Sequence, residues 1–369
     1  MNAVTIKTAD LKAAVKRLKP AYQRWGKIPI LSHTLVSVAP GSVEFVQTNL
    51  DLEIHHTGDA TADADFAFTL DYKLMARLAA LDCEALTFTV TPGKDADKLT
   101  VSADGFSLSV NLLCPAVDFP LMPEDRLRAF DAAKTTATLA ASDINRLLRL
   151  SAHCISTEET RYYLNGVYLC KSPDATLRAV ATDGHRLARI DSTVAWAGPE
   201  VILPTDAVKA LMRDTAGNVT MSLCADPFLA VFEGDGWTYR VKLIDGKYPN
   251  YGKVIPEENN AISAVISSAQ IKRLMAVPEY GFTSVFVAIT AGQMSAKSDD
   301  RSISVTIPAQ ATGPDGFITG FNRKYLAAQA RVTPTFRLTS KGNDEPARIV
   351  GDDPLAIFVL MPVTSKYLK

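Results

Sequence analysis

The chain of 369 residues repeats one plan three times, at a period of about 120 residues, too long for a solenoid unit and suited to duplicated domains. Each copy opens with a short alternating strand that runs into an amphipathic helix. In the first copy these are Val4 to Lys7 and Asp10 to Lys19; in the second, Thr138 to Ala141 and Ser142 to Ala152; in the third, Ala261 to Ile266 and Ala269 to Val277. After another strand, about 55–65 residues on, each copy carries a second helical pattern. These are Asp71 to Asp82, Thr205 to Asp214 and Asn322 to Val332. Asp71, Ser142, Thr205 and Asn322 are N-cap residue types, and Ser267 with Gln270 has capping-box spacing. Alternating apolar segments fill the remainder: Val43 to Val46, Leu86 to Val90, Phe106 to Val110, Val219 to Leu223, Val285 to Ile289 and Ile303 to Ile307. They read as antiparallel strands joined by hairpins. The expected fold class is therefore α+β, with three repeated domains of two helices and antiparallel sheets each. Their expected bounds are residues 1–125, 130–256 and 258–369, with linkers near Pro120 to Asp131 and Ile255 to Asn260.

Composition narrows the setting. Hydrophobic residues make up 47% of the chain, enough for several cores. The five cysteines, Cys83, Cys114, Cys154, Cys170 and Cys224, are widely spaced and odd in number. They argue against a disulfide framework or a structural zinc site and fit a reducing cytoplasm. The first residues lack a long apolar run, and stretches such as Ala356 to Met361 are strand-sized, so neither a secretory signal nor a membrane span is expected.

Net charge is only −1, yet it is unevenly spread. The six helical segments carry 15 Lys and Arg against 6 Asp and Glu, a net of +9 that leaves −10 on the rest. The acids sit mostly at helix starts, where they suit the helix dipole. The bases lie deeper and share faces: Lys12 with Lys16 and Lys19, Lys73 with Arg77, Arg146 with Arg149, Lys209 with Arg213. Any one such helix is an ordinary solvated amphipath. Six with the same bias suggest a positive surface that meets a polyanion without reading its sequence.

Catalytic motifs are missing. Gly246 to Lys253 resembles a phosphate loop only loosely, because its glycines are one residue too far apart and Val254 replaces the Ser or Thr that would hold magnesium. His55 and His56 follow Asp51 and Glu53, but in a strand they point to opposite faces and are not expected to share a metal. Asp183 and His185 lie in the string Ala181-Thr182-Asp183-Gly184-His185-Arg186-Leu187-Ala188, a strand, a tight turn and a polar pair. No nucleophile is placed beside them, so an acid–base role is the weaker reading and a gripping rim the stronger. No cofactor or metal is expected, and the chain is read as non-catalytic.

That octapeptide resembles the corresponding segment of bacterial sliding clamps, the beta subunits of DNA polymerase III. Further matches follow in order: Ile28 to Leu31, Asp118 to Pro120, Arg161 to Gly166, Lys242 to Tyr251, Gly320 to Asn322 and Val359 to Pro362. They span all three copies. The resemblance implies clamp-type domains in a head-to-tail homodimer, a ring around duplex DNA with helices lining the hole. It also implies partners: polymerase subunits, a clamp loader and repair proteins, bound through short peptide motifs. A duplicated scaffold that binds such motifs without encircling DNA is the alternative.

By the same resemblance the peptide pocket comprises Leu164, Thr182, Gly184, His185, Arg186 and Leu187, with Pro249, Lys253 and Val254, and with Val359, Met361, Pro362 and Val363. Asn322 and Tyr325 match a neighbouring subsite. Duplex contacts fall to Arg24, Trp25, Tyr162 and Tyr163 and to the helix bases Lys73, Arg77, Arg146, Arg149, Lys209 and Arg213. The dimer contact would bring Phe106 and Leu108 against Ala276, Val277 and Phe282. Two departures stand out: Lys253 stands where Arg is frequent, which removes a bidentate fork, and Val363 to Lys369 extend the chain past the family's usual end, beside the pocket.

Overall fold

The computed structural model describes residues 2–23, 28–94, 96–213, 216–259, 261–278, 285–297 and 303–364. The repeat is visible in the order of its elements. Strand Asn2–Lys7 leads into helix α1 (Thr8–Leu18), and Phe66–Asp71 leads into α2 (Tyr72–Leu78). After α3 (Glu124–Ala133), strand Thr135–Ala140 leads into α4 (Ala141–Ser151), and Val201–Pro204 into α5 (Thr205–Leu211). Ile262–Ser267 leads into α6 (Ser268–Leu274), and Thr319–Asn322 into α7 (Arg323–Val332). The fold is α+β with repeated domains of antiparallel strands.

Of the expected apolar stripes, Leu11 and Leu18 on α1 and Ile144, Leu147 and Leu148 on α4 are buried, while Val15 on α1 is half-buried and Ala14 takes the buried place beside it. Asp71 caps α2 by accepting from the Leu74 amide at 2.9 Å, and Asn322 caps α7 through the Lys324 amide at 2.9 Å. Ser267 and Gln270 form the expected capping box. Ser142 and Thr205 instead lie inside their helices; the Thr205 hydroxyl donates to the Asn165 carbonyl at 2.7 Å. Several helices also end early. After α2 the amides of Ala80 and Leu81 bond three residues back, to Arg77 and Leu78, so the pattern continues as tight turns and not as helix. The stretch expected as a linker, Pro120 to Asp131, is largely α3.

Two compact units result, Met1–Ile144 with Asp206–Leu243, and Asn145–Thr205 with Ile244–Lys369. The middle copy contributes strands to each. In the first unit, one continuous sheet joins copies one and two where strand Leu52–Ala62 pairs antiparallel with Trp237–Lys242, in the register Leu52↔Val241 to His56↔Trp237. Below that join, Glu53 is buried. It accepts from His55 Nε2 at 2.8 Å, Arg240 Nη1 at 2.8 Å and the Met122 amide at 2.7 Å, while His55 Nδ1 meets Glu44 at 2.9 Å. Phe130 of α3 packs with Met122, Cys224, Leu229 and Val231 beside it. At the far side of this sheet, strand Phe106–Leu112 pairs only with Asp97–Ala103 among the described strands.

The second unit repeats the device. Strand Arg186–Ala195 pairs with Ala356–Leu360, from Arg186↔Leu360 to Ile190↔Ala356, and joins copies two and three in one sheet. A separate four-stranded sheet carries Phe286–Thr290, Gln293–Lys297, Ser304–Pro308 and Thr319–Asn322. Among the described residues no helix is long and apolar enough to cross a membrane.

Candidate functional site

The octapeptide forms the turn between strand Thr176–Thr182 and strand Arg186–Ala195, which pair as Thr182↔Leu187 and Ala181↔Ala188. Its polar residues are spent on building that turn. Asp183 Oδ1 accepts from the amides of His185 (2.9 Å) and Arg186 (3.0 Å), and its Oδ2 binds Arg186 Nε at 2.8 Å. The Thr182 hydroxyl donates to the Arg186 carbonyl at 2.7 Å and accepts from the Gly184 amide at 3.1 Å. Gly184 has φ +89°, a backbone conformation that calls for glycine; a Cβ there would meet only the movable guanidinium end of Arg161, at 2.8 Å. Asp183 is a staple for the turn, not a general acid.

A cavity of about 310 Å³ opens beside this turn. Nine of the expected pocket residues line it: Leu164, Thr182, Gly184, Arg186, Leu187, Pro249, Val254, Val359 and Met361. Arg161, Tyr163, Asn250 and Tyr251 line it too. All four lie inside segments that the family resemblance had already singled out, which is the signal that could have found them. Leu164, Leu187 and Val359 continue into a buried cluster with Cys170, Val180, Ile202 and Tyr248. Behind the wall, Tyr168 stacks on Tyr248 at 4.6 Å, and Arg178 donates to the Tyr251 hydroxyl at 3.4 Å while holding both oxygens of Asp191. Burial raises the Tyr251 phenol and, above all other causes, pushes the Cys170 thiol up to about 11. Both stay neutral near pH 7. A largely apolar cavity with a preformed floor, whose lining cations Arg161 and Arg186 are each paired with a carboxylate, suits binding of aliphatic or aromatic side chains, not bond cleavage.

The remaining expected pocket residues stand around this cavity. His185 stacks on Tyr325 with centroids 6.1 Å apart, and the Arg186 guanidinium lies 4.6 Å from the same ring centroid. The Met361 amide donates to the His185 carbonyl at 2.8 Å, and the Val363 amide to the Gly320 carbonyl at 2.8 Å, which ties the chain past Leu360 to both neighbours. Pro362 lies between these two bonds. Asn322 is occupied in capping α7. Lys253 lines a separate groove next to the cavity.

Several expectations need correcting. Tyr163, expected at DNA, lines the cavity, because the tight turn Glu159–Leu164 points successive residues in different directions; Tyr162, edge-on to it, is 53% exposed. Arg146 is held by both oxygens of Asp353 and by the Asp191 carbonyl, so its charge is compensated within the chain. Arg323, counted among the helix bases, is buried, with its guanidinium on the carbonyls of Leu274 and Val277. Val277, expected at a dimer contact, is buried within its own chain, whereas Ala276 and Met275 are exposed. Lys73, Arg77, Arg149, Lys209 and Arg213 are exposed, as the helix-face reading placed them. Phe106 and Leu108 are half-buried on the one-sided strand. Arg24, Trp25 and Phe282 lie outside the described residues.

Comparison with known proteins agrees with this architecture over the whole chain. Residues 138–250 match the central domain of the DNA polymerase III beta subunit. The beta sliding clamp of Caulobacter vibrioides is 30% identical over 378 residues, covering 98% of this chain and 99% of that protein. Among solved structures, the C. crescentus beta sliding clamp crystallised with PEG is similar with a TM-score of 0.87 at 28% identity, covering 98% of this chain and 99% of that one. The sliding clamp of Bartonella birtlesii, DNA polymerase III subunit beta bound to griselimycin, gives 0.84 at 27% identity over 99% and 100%. With this likeness in sequence and fold covering nearly the whole of both chains, the chain belongs to the beta sliding clamp family of DNA polymerase III beta subunits.

Proposed function

We propose that this protein is a non-catalytic processivity factor that closes, as a head-to-tail homodimer, around double-stranded DNA and tethers polymerase subunits and other DNA-processing proteins. The observation that carries this reading is the full-length likeness to beta sliding clamps at the level of fold and sequence together. The three domains would occupy residues 1–125, 130–256 and 258–369, in the cytoplasm. Lys73, Arg77, Arg149, Lys209 and Arg213, with Tyr162, Arg24 and Trp25, would meet the phosphates loosely. Weak, sequence-independent contacts suffice where a ring holds DNA by enclosure. The one-sided strand Phe106–Leu112, with its half-buried Phe106 and Leu108, supports the dimer contact. Its partner surface would include Ala276, Met275 and Phe282.

The cavity beside Gly184 would take the anchor side chains of short peptides from the polymerase, the loader and repair proteins, with His185, Tyr325 and Asn322 at a second subsite. The test is topological. The protein is loaded on nicked circular DNA with a bacterial clamp loader and ATP, and the circle is then cut. Release on linearisation is expected; retention on the linear product would overturn the ring. Sedimentation separates the closed dimer from a non-encircling scaffold, which would remain a monomer or an open dimer.

A further inference from the structure

A second groove, of about 440 Å³, runs beside the cavity and shares Val254 and Met361 with it. One wall is the segment from Lys253 to Asn259; the other is the turn that carries Thr339 to Lys341 with Glu345 and Pro346. Its middle is apolar, formed by Ile255, Pro256 and Pro346, and Arg348 Nη1 fixes the first wall by donating to the Pro256 carbonyl at 3.3 Å. Three carboxylate residues, Glu257, Glu258 and Glu345, line it together with two lysines, Lys253 and Lys341.

Met361, close to the end of the described chain, lines this groove. Strand Ala356–Leu360 pairs with Ala347–Val350 through Leu360↔Ala347, so Met361 and Pro362 continue beside Pro346 and Glu345. The Val363 amide is then pinned to Gly320, next to Thr319, whose hydroxyl donates to the Asn343 carbonyl on the same turn. Beyond Thr364 the sequence runs Ser365-Lys366-Tyr367-Leu368-Lys369, an aromatic and an aliphatic residue between two cations. Five residues reach roughly 17 Å when extended, ample to turn back along the groove. The apolar pair matches the apolar lining, and the groove's carboxylates, one more than its ammonium groups, favour a segment that carries cations.

We propose that the groove is the seat of the chain's own segment Ser365 to Lys369, with Tyr367 and Leu368 against Ile255, Pro256 and Pro346 and the lysines toward the carboxylates. A tethered segment competes at an effective concentration in the millimolar range, so even a weak contact is populated. The seat itself does not depend on the neighbouring cavity binding peptides.

Hydrogen exchange read by mass spectrometry tests the seat in three proteins: the full chain, a chain ending at Thr364, and the full-length Lys366→Glu/Lys369→Glu variant. Amides of 253–259 and 339–346 should exchange about fivefold more slowly in the full chain than in the other two. That slowing should not vary with protein concentration, and the buried sheet should be unchanged in all three. Equal exchange in the full and shortened chains overturns the proposal. Slowing at 182–187 instead would put the segment in the first cavity, and slowing that grows with concentration would make it another copy's segment; either result also overturns it.

Discussion

The molecule solves one problem twice, and the two solutions differ. In each unit a strand of one copy pairs with a strand of the next and fuses two domains into one sheet: Leu52–Ala62 with Trp237–Lys242, and Arg186–Ala195 with Ala356–Leu360. At the first join the connecting segment folds into α3 and closes the junction. Phe130 and Met122 cover it, and the Glu53, His55 and Arg240 network fills what is left. At the second join the connecting segment from Asp245 to Pro256 forms no α-helix. Its residues Pro249, Tyr251 and Val254 become one wall of an open cavity. A duplicated junction that is sealed serves stability, and the same junction left unsealed leaves a cavity, the docking place of the proposed function. The difference lies in the connector, since the strand pairing is alike at both.

The largest effect that would break this comparison is at the sealed join. Glu53→Gln removes one partner from a buried ionic network and leaves His55 and Arg240 without it, which should lower unfolding free energy by about 3–5 kcal/mol. Urea denaturation of the variant measures it, and a loss below 1 kcal/mol would show that the sealed join does not depend on this network. At the open join the expected cost falls on binding. Val254 is half exposed, so Val254→Asp should alter stability little, yet weaken a peptide with an aliphatic or aromatic anchor about 30-fold. Fluorescence anisotropy with such a peptide reads the ratio.

The smallest effect distinguishes the units by pH. Burial opposes charge on His55, but its bonds to Glu44 and Glu53 outweigh that and raise its pKa above the usual 6.5; its contribution is full in mild acid and fades as pH rises past that value. Burial raises Glu53, yet the His55 bond and its other partners bring it below the usual 4.5, so its contribution is present above 4.5 and lost only in stronger acid. In the second unit His153 behaves oppositely. Burial first, then the charge of Arg186, depresses it to about 4, so the unfolded chain binds the extra proton as pH falls below 6.5. Between pH 7.5 and 5.5 His153 should therefore cost about 1 kcal/mol while His55 adds stability. Urea unfolding of His153→Gln and His55→Gln at both pH values should show the first gaining relative to the parent on acidification and the second losing.

The threefold plan was legible because it rests on local signals. Leu11 and Leu18, Asp71 and the Ser267–Gln270 pair each report their own helix without help from distant residues. The cavity was legible through the family resemblance, since strand pairing and the Asp183 staple bring Leu164, Leu187, Val254 and Val359 together from segments nearly 200 residues apart in ways that spacing does not reveal. What escaped was set by tertiary partners. Arg146 has the exposed-face spacing of a DNA contact, yet Asp353, more than 200 residues away, claims it. Val277, given to the dimer contact by the family resemblance, is buried within its own chain, where its carbonyl receives buried Arg323. Helix α3 was hidden by the prolines that precede it and the charges of its own first turns, which suggest a linker until Phe130 finds its place.

The one-sided strand Phe106–Leu112 has a consequence for assembly size. A chain with a free sheet edge and a different partner surface elsewhere is a monomer for polymerisation, joined head to tail. Whether growth stops at two is then decided by the rotation between successive subunits and not by how tightly they adhere. In the proposed ring, a substitution that only bends the chain, far from the adhesive strand and without weakening it, would turn closed rings into open filaments.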